Sequence, residues 1–302
     1  MTPPPMATLT IVGDVHRSWR ASDAEFLCAS RPDLAMFVGD LGDEDVEMVR
    51  EIARIEVPKV VLLGNHDAWQ SCSNNAPTNN LLDCIEDLGD DHLAFAVREL
   101  PEAGISIVGA RPFSWGDPNL RGAGVFRRLY GFHTMKQSAV RIVEAARRAQ
   151  HRDLVILAHN GPMGLGRDSG DIWGKDFGRP GGDWGDRDLA TALERIGDLG
   201  LRVRAVVAGH MHDRLLHPKG QRRKRFVRRF GTLFLNTAVV PRIRADGNGG
   251  QLSHFARMQV SRGEIRRVEE ILVDENGRIR ERSVPEFLDV AESIPLEGGD
   301  AG

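Results

Sequence analysis

Five short apolar runs in this sequence end in residues that can bind metals or move protons. They lead into Gly13-Asp14-Val15-His16, Gly39-Asp40-Leu41-Gly42-Asp43, Gly64-Asn65-His66-Asp67, Ala158-His159-Asn160 and Gly209-His210-Met211-His212. In open α/β sheets, sites gather at the carboxyl ends of strands. A glycine opens four of the five groups, which lets the backbone turn sharply and approach a ligand closely. Asp14 and His16 stand two apart, as do His210 and His212. In extended backbone, residues i and i+2 point the same way, so each pair can converge on one ion. The pooled donors are carboxylate, imidazole and amide oxygen, without thiolate. That set suits Mn²⁺, Fe, Zn²⁺ or Ni²⁺ and differs from a cysteine-based structural zinc site. Taken singly, each group also fits a solvated loop or an Asx turn. Their joint occurrence, each after an apolar run, argues for a site.

The ordered set Asp-x-His, Gly-Asp, Gly-Asn-His-Asp, His and Gly-His-x-His resembles the calcineurin-like metallophosphoesterase superfamily, over residues 13–212. The resemblance implies a four-layer α/β/β/α sandwich with mixed sheets and a two-metal site at its crest. It implies that Asp14, His16 and His212 bind one ion, that Asn65, His159 and His210 bind the other, and that Asp40 bridges both. It further implies that His66 sits beside the leaving group, with Asp67 orienting it. The expected cofactors are two divalent metal ions, Mn²⁺ first, with Fe, Zn or Ni as alternatives. The expected activity is hydrolysis of phosphate esters by a metal-bridging hydroxide. The alternatives are a phosphodiesterase or nuclease acting on nucleotides or nucleic acid, and a non-catalytic partner-binding scaffold. No ligand position is missing, which argues against the scaffold. Protein Ser/Thr phosphatases of the superfamily carry an Arg after the bridging-Asp block and another before Gly-Asn-His-Glu. Here those places read Leu41-Gly42-Asp43-Glu44 and Leu62-Leu63, so that Arg pair is absent. Trp173-Gly174-Lys175-Asp176, Gly185-Asp186-Arg187-Asp188 and Asn236 to Arg242 are similar to a poorly characterised cyanobacterial and plastid subgroup.

Regular elements must hold these groups in place. Strands are expected at Ala7 to Val12, Leu34 to Val38, Val60 to Leu63, Ile105 to Val108, Leu154 to Leu157, Ala205 to Ala208 and Leu233 to Leu235. Further strands are expected at His254 to Val260 and Ile265 to Val273, the last as an edge strand. Helices are expected over Asp43 to Ile55, Ser138 to Gln150 and Asp186 to Leu199. This alternation argues for a layered α/β fold whose later strands pair antiparallel. A single domain is expected over 1–285, with a frayed tail at 286–302.

Three stretches interrupt the pattern. Residues 68–80 read as a loop. Residues 160–186 hold nine glycines, and loops of this length inside a domain are usually functional or disordered. Trp173 and Trp184 in that insertion, with Arg167, Lys175 and Arg179, fit either a cap that clamps substrate or an acidic loop with two anchoring rings. Residues 217–230 form a second insertion with seven basic residues and no acid. It fits an anion-attracting hairpin near the metals, or a solvated turn. His92, His133, His151, His217 and His254 lack ligand spacing and read as surface or core residues.

Composition bounds the rest. The chain has 302 residues, a net charge of −3 and 41% hydrophobic residues, as in ordinary globular proteins. No apolar run approaches the ~20 residues of a transmembrane helix, so no membrane partner is expected. Three cysteines without Cys-x-x-Cys spacing build no disulfide framework, and Met-Thr-Pro-Pro-Pro-Met lacks a signal pattern. A reducing, cytoplasmic setting is expected. Residues 1–100 hold 7 basic and 18 acidic residues, whereas residues 201–282 hold 19 basic and 8 acidic. The first part suits cations and the later part anions.

Overall fold

The computed structural model describes residues 6–116 and 119–289. Strands β1 (Ala7–Val12), β2 (Leu34–Phe37) and β3 (Lys59–Val61) run parallel, with Leu9 opposite Leu34 and Ala35 opposite Lys59. Helices α1 (Ala21–Ser30) and α2 (Val46–Ala53) make the two crossovers. Asp45 caps α2 by accepting the Met48 N–H, satisfying one of the free donors of its first turn. Antiparallel strands complete this sheet: β11 (Gln251–Ser261) pairs with β1, β12 (Glu264–Val273) with β11, β13 (Ile279–Ser283) with β12, and β10 (Ile243–Ala245) with β11. The expected edge strand β12 therefore lies inside the sheet, because β13 covers its far side.

The strands of the second sheet are β4 (Val97–Leu100), β5 (Ile105–Gly109), β6 (Asp153–Leu157), β7 (Arg202–Ala208), β8 (Phe226–Arg229), β9 (Thr232–Asn236) and β14 (Leu288–Asp289). They lie in the order β14-β8-β9-β7-β6-β5-β4. The β5, β6, β7 and β9 strands run parallel, while β4 and β8 pair antiparallel to β5 and β9. Helices α6 (Met135–Arg147) and α7 (Arg187–Asp198) cross between the parallel strands. Of the tail expected to fray, Leu288 and Asp289 pair with Val227 and Arg228. Residues 290–302 lie outside the described residues.

Apolar side chains alternate between two packing layers. Leu9, Ile11 and Met36 of the first sheet meet Ile107, Val155 and Val207 of the second, forming the layer between the sheets. The intervening Val12, Phe37 and Ile156 belong instead with Phe26, Ile52, Ile142 and Leu189 of the helices. Both faces of each central strand are thus covered. That explains why the strands read as continuous apolar runs rather than as alternation. The result is the expected α/β/β/α sandwich.

Two interruptions are more ordered than expected. Residues 68–80, read as a loop, contain α3 (Trp69–Ser73) and the start of α4 (Asn79–Leu88), whose first turn Thr78 caps through the Leu81 N–H. One helix without a clear sequence signal, α5 (Ala123–Tyr130), follows. The 160–186 insertion is strapped down from inside. Asp183 accepts backbone N–H bonds from Gly164, Gly166 and Gly185. The buried Arg223 guanidinium donates to the carbonyls of Ser169, Asp171 and Gly174 at 3.0, 2.8 and 2.6 Å and to that of His212 at 2.9 Å. It also meets the Asp176 carboxylate at 3.1 Å.

Removing one partner of such a buried pair strands the other charge and the carbonyls. Arg223→Ala is expected to destabilise the protein by about 3–5 kcal/mol. Thermal unfolding should show a lower midpoint, and limited proteolysis should cut first within 160–186.

Candidate metal centre

The five chemistry-bearing groups follow β1, β2 and β3 of one sheet and β6 and β7 of the other, so both sheets contribute to one site. Backbone bonds knit the turns together. The Val15 and His16 N–H groups donate to the Asp40 carbonyl at 3.0 and 2.7 Å. The His66 N–H donates to Asp40 Oδ1 at 2.9 Å, and the His210 N–H reaches both oxygens of Asp14 at 3.2 and 3.0 Å. His16, Asp40 and His210 sit at φ of 44°, 50° and 69°, a left-handed conformation that non-glycine residues rarely adopt. Glycine is needed where the turns touch. A Cβ on Gly64 would lie 2.3 Å from Asp40 Oδ1, and one on Gly209 would lie 2.0 Å from Asp14 Oδ1.

Two clusters of donors result. In the first, His16 Nε2 lies 3.1 Å from His212 Nε2, and these nitrogens lie 3.9 and 3.7 Å from Asp14 Oδ2. In the second, Asn65 Oδ1 lies 2.9 Å from His159 Nε2 and 2.8 Å from His210 Nδ1. Asp40 stands between them, with Oδ2 3.6 Å from His16 Nε2 and Oδ1 3.3 Å from His159 Nε2. Asp14, His16 and His212 form one group with ligand atoms within 4.8 Å of one another, and Asp40, His159 and His210 form another. These are the seven residues expected as ligands. The His159 tautomer follows from its partner. A carbonyl only accepts, so Nδ1–H must donate to Val38 at 2.8 Å, leaving the Nε2 lone pair aimed inward.

Electrostatics match. Burial, then the neighbouring Asp40 charge, raises the Asp14 carboxyl well above the usual carboxylate range. Burial and the nearby His159 hold His210 well below an ordinary imidazole, and burial and His16 push His212 down to about 4. His16 and His159 are lowered by burial as well. A bound cation takes imidazoles in this neutral form and would replace the proton that burial favours on Asp14.

Asp67 does not orient the His66 ring. Its oxygens accept the backbone N–H groups of Gly42 at 3.0 Å and Gly64 at 2.8 Å, so it braces the two loops. Asp43 meets the ring instead, with Oδ1 2.7 Å from His66 Nδ1. The His66 ring lies edge-on to His16 at 4.9 Å, and with His16 and Asp40 it forms a third group of potential ligand atoms within 4.8 Å of one another.

A cleft of about 400 Å³ opens on this edge. Asp40, Asn65, His66, His210 and His212 form one wall, and Trp115, Arg121, Phe177, Trp184 and Arg214 line the rest. The two insertion tryptophans part company. Trp184 lines the cleft, while Trp173 is fully buried and packs on Phe234 as an anchor. Much of the basic stretch pairs with acids or carbonyls of this chain, Arg222 and Lys224 at the surface. Arg222 meets Asp213, Lys224 meets Asp171 at 2.9 Å, Arg225 meets Glu270 at 2.6 Å and Arg229 donates to the Gly164 carbonyl at 2.9 Å. Sequence reasoning missed Asp43, although it stands in the second motif, and Arg214, two residues after His212. Trp115 and Arg121 carry no motif signal at all.

Two mixed sheets between helical layers, with imidazoles and carboxylates gathered where strands of both sheets end, define the metallophosphoesterase class of α/β sandwich. The family model for calcineurin-like phosphoesterases matches residues 7–214, and the chain belongs to this family. One solved structure covers 93% of this chain and 99% of its own at 10% identity, with a TM-score of 0.52, which shows the shared fold. The TT1561 protein of Thermus thermophilus matches at 9% identity and a TM-score of 0.49, covering 92% of this chain and 99% of its own. A dimetal phosphatase from Danio rerio matches at 13% identity and a TM-score of 0.40, covering 90% and 96%. No curated protein sequence matches. Among the described residues, no helix is long and apolar enough to cross a membrane.

The Gly209 contact provides a test of the first cluster. Gly209→Ala forces a methyl group against Asp14 and should lower the divalent metal content of the reconstituted protein, with the far-UV circular dichroism unchanged. Elemental analysis against the parent measures the difference.

Proposed function

We propose that this protein is a dinuclear-metal-dependent phosphoesterase. The observation that carries the reading is Asp40, a buried carboxylate whose two oxygens face different donor clusters. Asp14, His16 and His212 would hold one ion, Asn65, His159 and His210 the other, and Asp40 would serve both. All donors are oxygen or imidazole nitrogen, which suits borderline divalent ions, with Mn²⁺ as the first choice. Ions held by these residues would supply Lewis acidity, for activation of water near neutral pH and for neutralisation of phosphate oxygens.

The protein's own groups do the rest. Asp43 accepts from His66 Nδ1–H, which fixes the ring and leaves Nε2 to hold a proton for the departing alkoxide. Asp67 positions the His66 turn through Gly64 and ties it to the turn at Gly42. The ion pairs of buried Arg223 and half-buried Arg225 favour small esters over nucleic acid, because they leave the stretch fewer cations to meet a phosphate backbone. Three free cysteines support a reducing, cytoplasmic setting.

Asp40→Asn is expected to lose most bound metal and most activity, since a neutral amide cannot supply a shared negative charge. Elemental analysis of the Mn²⁺-reconstituted wild-type protein giving one ion or fewer per chain would sink the two-metal reading. His66→Asn is expected to keep both ions and slow turnover by roughly 10²–10⁴. The loss should shrink for p-nitrophenyl phosphate, whose leaving group needs little protonation. Asp43→Asn should follow the same leaving-group trend, and an equal loss across substrates would remove His66 from the proton-transfer role.

A further inference from the structure

We propose that the cleft selects small phosphate esters whose alcohol carries a planar aromatic ring, and that Arg121 grips their phosphate. The proposal rests on the phosphoesterase reading and names its substrate class. Among the described residues, neither Arg121 nor Arg214 pairs with a carboxylate, and both line the cleft beside His66, His210 and His212. The buried arginines behave otherwise: Arg111, Arg223 and Arg242 each meet an aspartate. Both guanidiniums are exposed at the cleft, so their N–H groups are free to meet an anion there.

Arg121 is held without using its donors. Its guanidinium carbon lies 3.7 Å over the Trp115 ring and 5.9 Å from the Trp69 ring. Trp115 and Trp69 touch at 4.5 Å, and Trp69 lies 5.0 Å from His66. Stacking engages the face of the guanidinium and leaves the N–H groups at its edge for a forked contact to phosphate oxygens. It thus supplies, from the segment before α5, a cation of the kind missing beside the Gly39 and Gly64 motifs.

Aromatic side chains supply the rest of the wall. Trp184 is anchored by its indole N–H, which donates to the Trp115 carbonyl at 2.8 Å. Phe177 meets Trp184 edge-to-face at 5.2 Å, and Lys175 Nζ lies 4.8 Å over the Trp184 ring. Trp115, Phe177 and Trp184 are all half-buried, so part of each ring remains accessible. A cleft of about 400 Å³ lies in the range that takes a single small ligand. Among the described residues, the only carboxylates lining it are Asp40 and Asp176, and Asp176 is already taken by Arg223 and the Leu216 N–H.

The test uses the full chain reconstituted with Mn²⁺. Phenyl phosphate, adenosine 5′-monophosphate and glycerol 2-phosphate are compared as substrates, and calorimetry compares phenylphosphonate with methylphosphonate as ligands. The two ring-bearing esters differ in how far the ring stands from the phosphate, so their ranking identifies which spacing the cleft fits. At least one should have a KM about ten- to a hundredfold below that of glycerol 2-phosphate, as expected for one stacked ring. Trp184→Leu should narrow that gap, and Phe177→Leu provides the same test should the first variant not fold. Arg121→Ala should raise KM for all three esters by about tenfold or more, with Arg121→Lys recovering only part. Equal KM values across the esters with equal phosphonate affinities, or an Arg121→Ala enzyme with unchanged KM, would overturn the proposal. Absence of turnover with any ester despite full metal loading would remove the phosphoesterase reading instead. In that case a preference for phenylphosphonate over methylphosphonate still supports the aromatic cleft, and its absence overturns it.

Discussion

The constraint on which the structure depends is the burial of three aspartates in one place. Asp14, Asp40 and Asp67 are each about 1% exposed. The charge of Asp40 is among the causes that raise both Asp14 and Asp67. An uncompensated buried carboxylate costs several kcal/mol, so the turns around these residues are shaped to compensate them. Backbone N–H groups of Gly42, Gly64, His66 and His210 point at carboxylate oxygens. Bringing them there requires left-handed backbone at His16, Asp40 and His210, at roughly 1–3 kcal/mol each. The strain is held by the sheets beneath, whose strands stop at the same edge.

The fold was legible because its central strands are buried on both faces. Continuous apolar runs such as Leu34 to Val38 and Leu154 to Leu157 have no other stable use in a chain of this polarity. The seven donors were legible for a related reason, since each follows such a run at a turn. Where reading failed, the deciding partner was distant in sequence. Nothing near His66 says that Asp43 rather than Asp67 meets its ring, because that choice depends on the backbone at Asp40 and on two N–H groups from separate turns. The charge of residues 217–230 was plain, but Asp171, Asp176 and Glu270, which neutralise much of it, arrive from other loops and another sheet. Helix α1 has almost no apolar stripe, since only Phe26 and Leu27 of its apolar residues are buried on it.

The two walls of the cleft divide the labour by chemistry. One wall offers hard oxygen and imidazole donors held by a rigid backbone. The other offers aromatic surface and two exposed guanidiniums, Arg121 from the segment before α5 and Arg214 from the turn that also carries His212. In the proposed reading the first wall would hold the ions, while on the second Arg121 would meet the phosphate and the aromatic rings would tell alcohols apart. Substitutions in the second wall can therefore alter selectivity while the strained turns stay as they are.

Arg223 joins two segments that are about fifty positions apart. Its guanidinium draws the carbonyls at 169, 171 and 174 against the backbone just after His210-Met211-His212. The glycine-rich insertion and the basic stretch are in this sense a single structural unit. A lineage that lengthens one without reshaping the other leaves several carbonyls facing an empty space. Their lengths should therefore rise and fall together across the family, and a chimera should tolerate the pair exchanged whole far better than either half exchanged alone.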